Sequence, residues 1–262
     1  MSGQCKAENT SDNPGLALGS WFAEQCLAGR DCLHLCLDEQ YRSFGTWVEQ
    51  LIAESTGKEG KGMLPLDGAD ASAPGSRVAR VILGAGTNET FWQHYPEADD
   101  DRIPTWRITL EKKTDLGGEF FRWCFAVAIA GSVMQLNPFD EPDVAATKAA
   151  TRQLLDGEGV LESGAPLTPQ DLGASLTSAG QGAYLAILTY LPDEPALFDV
   201  LEEFATAVRE HFDLPVTLNP GPRYLHSTGQ LHKGGSPHGL FLFVRSVPER
   251  DLDIFDEDFG FA

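Results

Sequence analysis

Glu54-Ser55-Thr56-Gly57-Lys58, with Lys61 close behind, brings together a carboxylate, two small hydroxyl residues, a glycine and two lysines. A carboxylate in that company suits a base that moves a proton beside an anionic substrate. Ser55, Thr56 and Gly57 are small enough to turn backbone N–H groups and hydroxyls toward a ligand. The same residues also fit an ordinary helix C-terminus, with a glycine stop and lysines near the negative end of the dipole. Both readings stand on this stretch alone.

Two further groups of residues have chemical potential. Lys148 shares a helical face with Val144 and Thr151, so it either points into a site or snorkels to water. Residues 221–235, GPRYLHSTGQLHKGG, pack Arg223, His226, Ser227, Thr228, Gln230, His232 and Lys233 among glycines. That composition is poor for a core and suits an anion-binding loop with a histidine acid/base, or else a glycine-rich surface loop. His226, His232 and His238 are evenly spaced, but no carboxylate or thiolate motif accompanies them, so no metal site is expected. GKEGKG lacks the spacing and Ser/Thr of a P-loop, and Gly84-Ala85-Gly86 lacks the third glycine of a dinucleotide fingerprint.

Periodicity places these residues. Phe44, Trp47, Val48, Leu51 and Ile52 form one apolar helical stripe, which predicts a helix over 43–53 with Glu54 at its end and Glu49 on its polar side. Helices are also expected at 16–27, 115–131, 141–155 and 195–212. Strands are expected at 31–37, 77–83, 104–110, 132–136, 183–191, 216–218 and 240–244. His34, inside the first strand, reads as a core histidine. The alternation predicts an α/β fold with a parallel sheet over 1–156. Residues 67–76 and 157–180 read as a loop and a linker. A smaller C-terminal α+β unit, 181–262, carries the His/Gly-rich loop.

The chain has 262 residues, 42% of them hydrophobic, and a net charge of −20. That charge argues against nucleic acid as a partner, and an anionic substrate needs a local basic pocket. The acidic runs 97–101 and 251–258 read as solvated surface. No apolar run approaches a membrane span, and the first thirteen residues have no signal-peptide core. Five cysteines, an odd number without a zinc-type pair of pairs, are expected to be reduced thiols of a cytoplasmic protein.

FGTWVEQLIAESTGKEGKG, NPFDEPDVAATKAAT and RYLHSTGQLHKGG together resemble glucose-6-phosphate isomerase, and most of all the isomerase part of bifunctional transaldolase/phosphoglucose isomerases. The likeness runs from about residue 13 to 244. It implies a sugar isomerase (SIS) fold, a three-layer α/β/α sandwich. It also implies interconversion of glucose 6-phosphate and fructose 6-phosphate with no cofactor or metal. On that resemblance Glu54 is the base that moves a proton between C1 and C2 through a cis-enediol. Lys148 helps in ring opening and substrate contact, and Ser55, Thr56, Gly57, Lys58, His226 and Gln230 bind substrate. The family's TNGQH-type segment is missing. His232 is therefore the expected ring-opening histidine, with His226 second. An earlier SIS half with a phosphate loop does not precede residue 13, so the chain is expected to be the second half of an isomerase. It is expected to work as a homodimer or with a chain supplying the first half. A non-catalytic sugar-phosphate-binding SIS module is the alternative.

Overall fold

The computed structural model describes residues 1–67, 75–95, 103–157, 166–246 and 252–256. Most of the loop read at 67–76, and all of the runs 97–101 and 158–165, lie outside the described residues, as do 251, 257 and 258 of the acidic run 251–258. The chain is an α/β sandwich built on two parallel sheets. In the first, β1 (Cys32–Leu37), β2 (Leu64–Asp67), β3 (Val78–Ala85) and β4 (Thr105–Leu110) run in the order β2-β1-β3-β4. In the second, β5 (Tyr184–Tyr190), β6 (Val216–Pro220) and β7 (Gly239–Arg245) run in the order β6-β5-β7. The C-terminal unit thus also has its strands parallel and separated by helices.

Burial on both faces explains the apolar strands. Leu33 and Leu35 of β1 face one core and Cys32 faces another, as expected where a parallel sheet is covered on each side. The first core lies under α1 (Pro14–Leu27), α2 (Arg42–Thr56) and α4 (Leu116–Met134). Phe44, Val48 and Ile52 are the fully buried members of the α2 stripe, and Trp47 and Leu51 pack at its edge. Asn13 starts α1 by accepting the Leu16 N–H at 2.9 Å, with Pro14 at the first helical position. The second core joins the two sheets: Cys32, Leu64 and Val78 meet Tyr184, Ala186 and Leu188 of β5. The third core lies beneath α6 (Pro169–Thr177) and α7 (Pro195–Phe212), against Leu185 and Ile187.

Several expectations need correction. Residues 132–136 are not a strand: α4 runs on to Met134 and is closed by Gln135 in the left-handed region. Ala126, Ala130 and Met134 continue its buried stripe, and so short an apolar run does not distinguish strand from helix by period. The helix expected to stop at Ala53 continues to Thr56. The segment read as a linker contains α6, whose Leu172 and Leu176 join the third core. The strand β2 and the short helices α3 (Glu89–His94) and α8 (Gly229–Gly234) were not foreseen. One stretch, Lys113–Met134, is long and apolar enough to cross a membrane by length and composition, although Trp123, Ala126 and Ala130 are buried in the first core. His34 is half-buried on β1, and all five cysteines are free.

Candidate functional site

The apolar stripe of α2 turns Ile52 and Ala53 into the protein, which leaves Glu54 half-buried at the helix margin. Gln50, one turn earlier, donates to its Oε2 at 3.3 Å. Burial pushes the Glu54 carboxyl above the ordinary carboxylate range. The Gln50 amide pulls it down, Glu141 pushes it up, and His226 and Lys58 pull it down. Glu54 therefore sits in a field made by its neighbours Gln50 and Lys58 and by two distant residues, Glu141 and His226.

The residues after Glu54 build the fold around it. Thr56 is fully buried and its hydroxyl donates to the Ile52 carbonyl at 2.8 Å. Ser55 is half-buried beside it. Gly57 touches α8 so closely that a Cβ there would stand 2.4 Å from the Leu231 Cα. Lys58 is 2% exposed. Its ammonium donates to the Asn137 carbonyl at 2.7 Å, to Asp140 Oδ1 at 3.0 Å and to the Asp140 carbonyl. It thus clamps the turn before α5 (Pro142–Leu155) to the end of α2. Lys61 donates to the Met134 carbonyl at 3.0 Å and pairs with Glu59 at 3.5 Å.

The loop after β6 closes over this corner. Arg223 pairs with Glu49 at 3.3 Å. Glu49, read from the sequence as lying on the polar side of α2, is in fact buried. Tyr224 is buried and accepts from the Tyr190 hydroxyl at 3.3 Å. His226 is exposed. Gln230 is 1% exposed and uses both ends of its amide. It donates to the Gly57 carbonyl at 3.1 Å and to Asp143 Oδ2 at 2.6 Å, and accepts the Val144 N–H at 3.4 Å. One side chain thereby ties α2, α5 and α8 together. A cavity of about 520 Å³ opens beside this junction, lined by Lys58, Asn137, Asp140, Asp143 and Lys233 among others.

His232 has a different place. Its Nδ1 lies 3.1 Å from the Tyr184 hydroxyl, and its ring packs between Tyr184 and Phe241. Burial, helped by Lys233, pushes its pKa down to about 4, while burial raises that of the Tyr184 phenol. The phenol therefore donates to a neutral imidazole, which puts the ring proton on Nε2. That nitrogen is buried without a partner among the described residues.

The structure puts His226 within electrostatic reach of Glu54 and leaves Lys148 on the surface. The face that Lys148 shares with Val144 and Thr151 does not turn into a core. The helix has no buried residue, Lys148 is exposed, and Leu155 is 81% exposed. Gln50, Glu141 and Asp143 are the residues of this corner that the sequence did not single out. The signal for Gln50 was its i−4 spacing from Glu54. Nothing local marked the other two.

No protein-family model matches the chain. Among curated proteins it is similar to the probable glucose-6-phosphate isomerase of Methanococcus maripaludis, 25% identical over 193 residues. The match covers 60% of this chain and 44% of that protein, so the chain spans less than half the length of the relative.

Proposed function

We propose that this chain is a glucose-6-phosphate isomerase-like protein in which Glu54 and His226 handle the protons. The observation that carries the reading is the half-buried Glu54 carboxylate, raised in basicity by burial and within electrostatic reach of His226 and Lys58. A raised pKa makes a stronger general base near neutral pH. In the open-chain aldose, Glu54 takes the proton from C2. The electron pair forms the C1–C2 double bond of a cis-enediol as O1 gains a proton. Glu54 then returns its proton to C1 while O2 loses one and becomes the carbonyl of the ketose. The imidazole of His226 serves the preceding step, giving a proton to the ring oxygen as the C1–O5 bond breaks and the C1 hydroxyl gives up its proton to become the aldehyde. His226 takes this role in preference to His232, whose ring is enclosed by Tyr184 and Phe241. The likeness to the curated isomerase supports the reaction class.

One observation favours the second reading, a sugar-phosphate-binding module without turnover. Lys148, expected to help in ring opening, is exposed on a helix with no buried residue, and turnover needs such a group where binding does not. A coupled assay with fructose 6-phosphate, run beside thermal shift with 6-phosphogluconate, separates the two. As a catalyst, the wild-type chain turns over, and Glu54→Gln loses about 10²- to 10⁴-fold in kcat while its thermal shift persists. His226→Asn loses more with the ring form of the substrate than with the open-chain form. A wild-type shift with no turnover assigns the binding module, and neither shift nor turnover removes both readings.

A further inference from the structure

Glu54 stands near the end of α2, and Glu141, which pushes its carboxyl up, stands just before α5. Nothing in the sequence fixes how near two carboxylates so far apart along the chain come to lie. The structure fixes it from both sides of Glu141. Before it, the Lys58 ammonium donates to the Asn137 carbonyl and to Asp140 Oδ1. After it, Gln230 donates to Asp143 Oδ2 at 2.6 Å and accepts the Val144 N–H at 3.4 Å. Both holds end on the residues that follow Glu54: Lys58 itself, and the Gly57 carbonyl, to which Gln230 donates at 3.1 Å.

The amide of Gln230 suits this junction. Both its N–H groups and its oxygen are engaged, and its neighbours allow one orientation. The Gly57 carbonyl and the Asp143 carboxylate only accept, and the Val144 N–H only donates. Turning the amide over would set its oxygen against two acceptors. The side chain is 1% exposed, so losing one of these bonds leaves a shielded partner short. Gly234 gives the junction its room: a methyl there would strike Asp143 Oδ2 and stand 2.7 Å from Gln230 Nε2. Without Gln230, the start of α5 could pivot about the Lys58 clamp and carry Glu141 with it.

We propose that Gln230 is a positioning residue for Glu54: it holds the start of α5, and Glu141 with it, at a set distance from the end of α2. This rests on the reading of Glu54 as the base. The charged groups that act on Glu54 are Glu141 before α5, His226 from the loop after β6 and Lys58 from its own segment. Nearby, Lys233 of α8 acts on Asp143, and Arg223 is paired with Glu49 of α2. Of these groups, Gln230 governs the placement of Glu141.

The test follows the titration of Glu54 by carbon NMR of the full chain labelled at its glutamate side-chain carboxyl carbons, the signal being assigned by its loss in Glu54→Gln. In the wild type, Glu141→Gln should lower the Glu54 midpoint, because it removes a like charge. Gln230→Met keeps the length of the side chain and none of its bonds. In that background the Glu54 midpoint should already be lower, and adding Glu141→Gln should move it about half as far or less. Asp143→Leu should act in the same direction, whereas Asp143→Asn, whose amide oxygen still accepts from Gln230, should keep the wild-type coupling. A merely structural role would lower the thermal unfolding midpoint and leave the coupling of Glu54 to Glu141 intact. Circular dichroism checks folding, and Asp143→Leu, at a half-buried position, carries the test if Gln230→Met does not fold. In a chain that turns over fructose 6-phosphate, Gln230→Met should lose about 10²-fold in kcat with little change in KM. An undiminished effect of Glu141→Gln in the variants overturns the proposal, as does a wild type in which Glu141→Gln leaves the Glu54 midpoint unmoved. A wild type without turnover, whose Glu54 midpoint still follows Gln230, removes the isomerase reading and upholds the placement of Glu141 by Gln230.

Discussion

Burial acts on Glu54 and His232 in opposite senses, because it penalises whichever form is charged. For Glu54 the result is a stronger base. For His232 it is a neutral ring with its pKa moved from 6.5 to about 4. The folded value lies below the unfolded one. The unfolded chain therefore binds the extra proton first, and stability rises with pH across that window. The contribution is complete above about pH 6.5 and is lost as pH falls toward 4. The full shift corresponds to about 3 kcal/mol, of which about 2 kcal/mol is gone by pH 5. His232→Gln should remove that part of the pH dependence. Urea unfolding at pH 7 and pH 5 checks it: the difference between the two free energies should shrink by about 2 kcal/mol in the variant. An unchanged difference would mean that the His232 ring is solvated in the folded protein.

At the scale of elements, the corner around Glu54 depends on how closely α2 approaches α8. Gly57 makes that approach possible, since an added methyl would lie 2.4 Å from the Leu231 Cα and 2.6 Å from the Ala53 carbonyl oxygen. Both are backbone atoms, which cannot swing aside as a flexible side chain can. Gly57→Ala is therefore expected to cost about 2–3 kcal/mol, the upper part of the range for overpacking. Gly117, near the start of α4, has nothing within 4 Å of the added methyl. Gly117→Ala should gain roughly 0.5 kcal/mol from helix propensity. Thermal unfolding of the pair checks the contrast. Had the tight contact been unimportant, both substitutions would move the midpoint upward.

For the whole molecule, the question is what makes two sheets one cooperative unit. Arg77, just before β3, spans them. It grips Asp31 through Nε and Nη2, both at 2.8 Å, and donates to the carbonyls of Ala183 at 2.8 Å and Gly182 at 2.9 Å. Its side chain is 14% exposed. Removing it leaves a carboxylate and two carbonyls short of partners, at a cost of about 3 kcal/mol. All five tryptophans, at 21, 47, 92, 106 and 123, belong to the first unit. Fluorescence therefore follows the first sheet and far-ultraviolet circular dichroism follows both. In the wild type the two urea transitions should coincide. In Arg77→Met they should separate, with the fluorescence transition no longer tracking the ellipticity. Coincident transitions in the variant would show that the second core alone couples the sheets.

Local pattern determined a good deal of this protein before any contact was known. The α2 stripe from Phe44 to Ile52, the buried run of β1 and the bounds of α7 follow from side-chain period, which each segment carries within itself. The segments around Glu54 and His226 stood out by composition for the same reason. The places where period failed were short or mixed: the end of α4, the two-turn helix α8, and α6 within a Gly/Ser/Pro-rich stretch. Only the tertiary structure decided which histidine lies within electrostatic reach of Glu54, because His226 and His232 are close in sequence and differ in what β5 and β7 place beside them. It alone showed Lys58 as a clamp and Lys148 as an exposed residue. A lysine's role depends on the groups that reach its ammonium. For Lys58 those are Asn137 and Asp140, some eighty residues away along the chain.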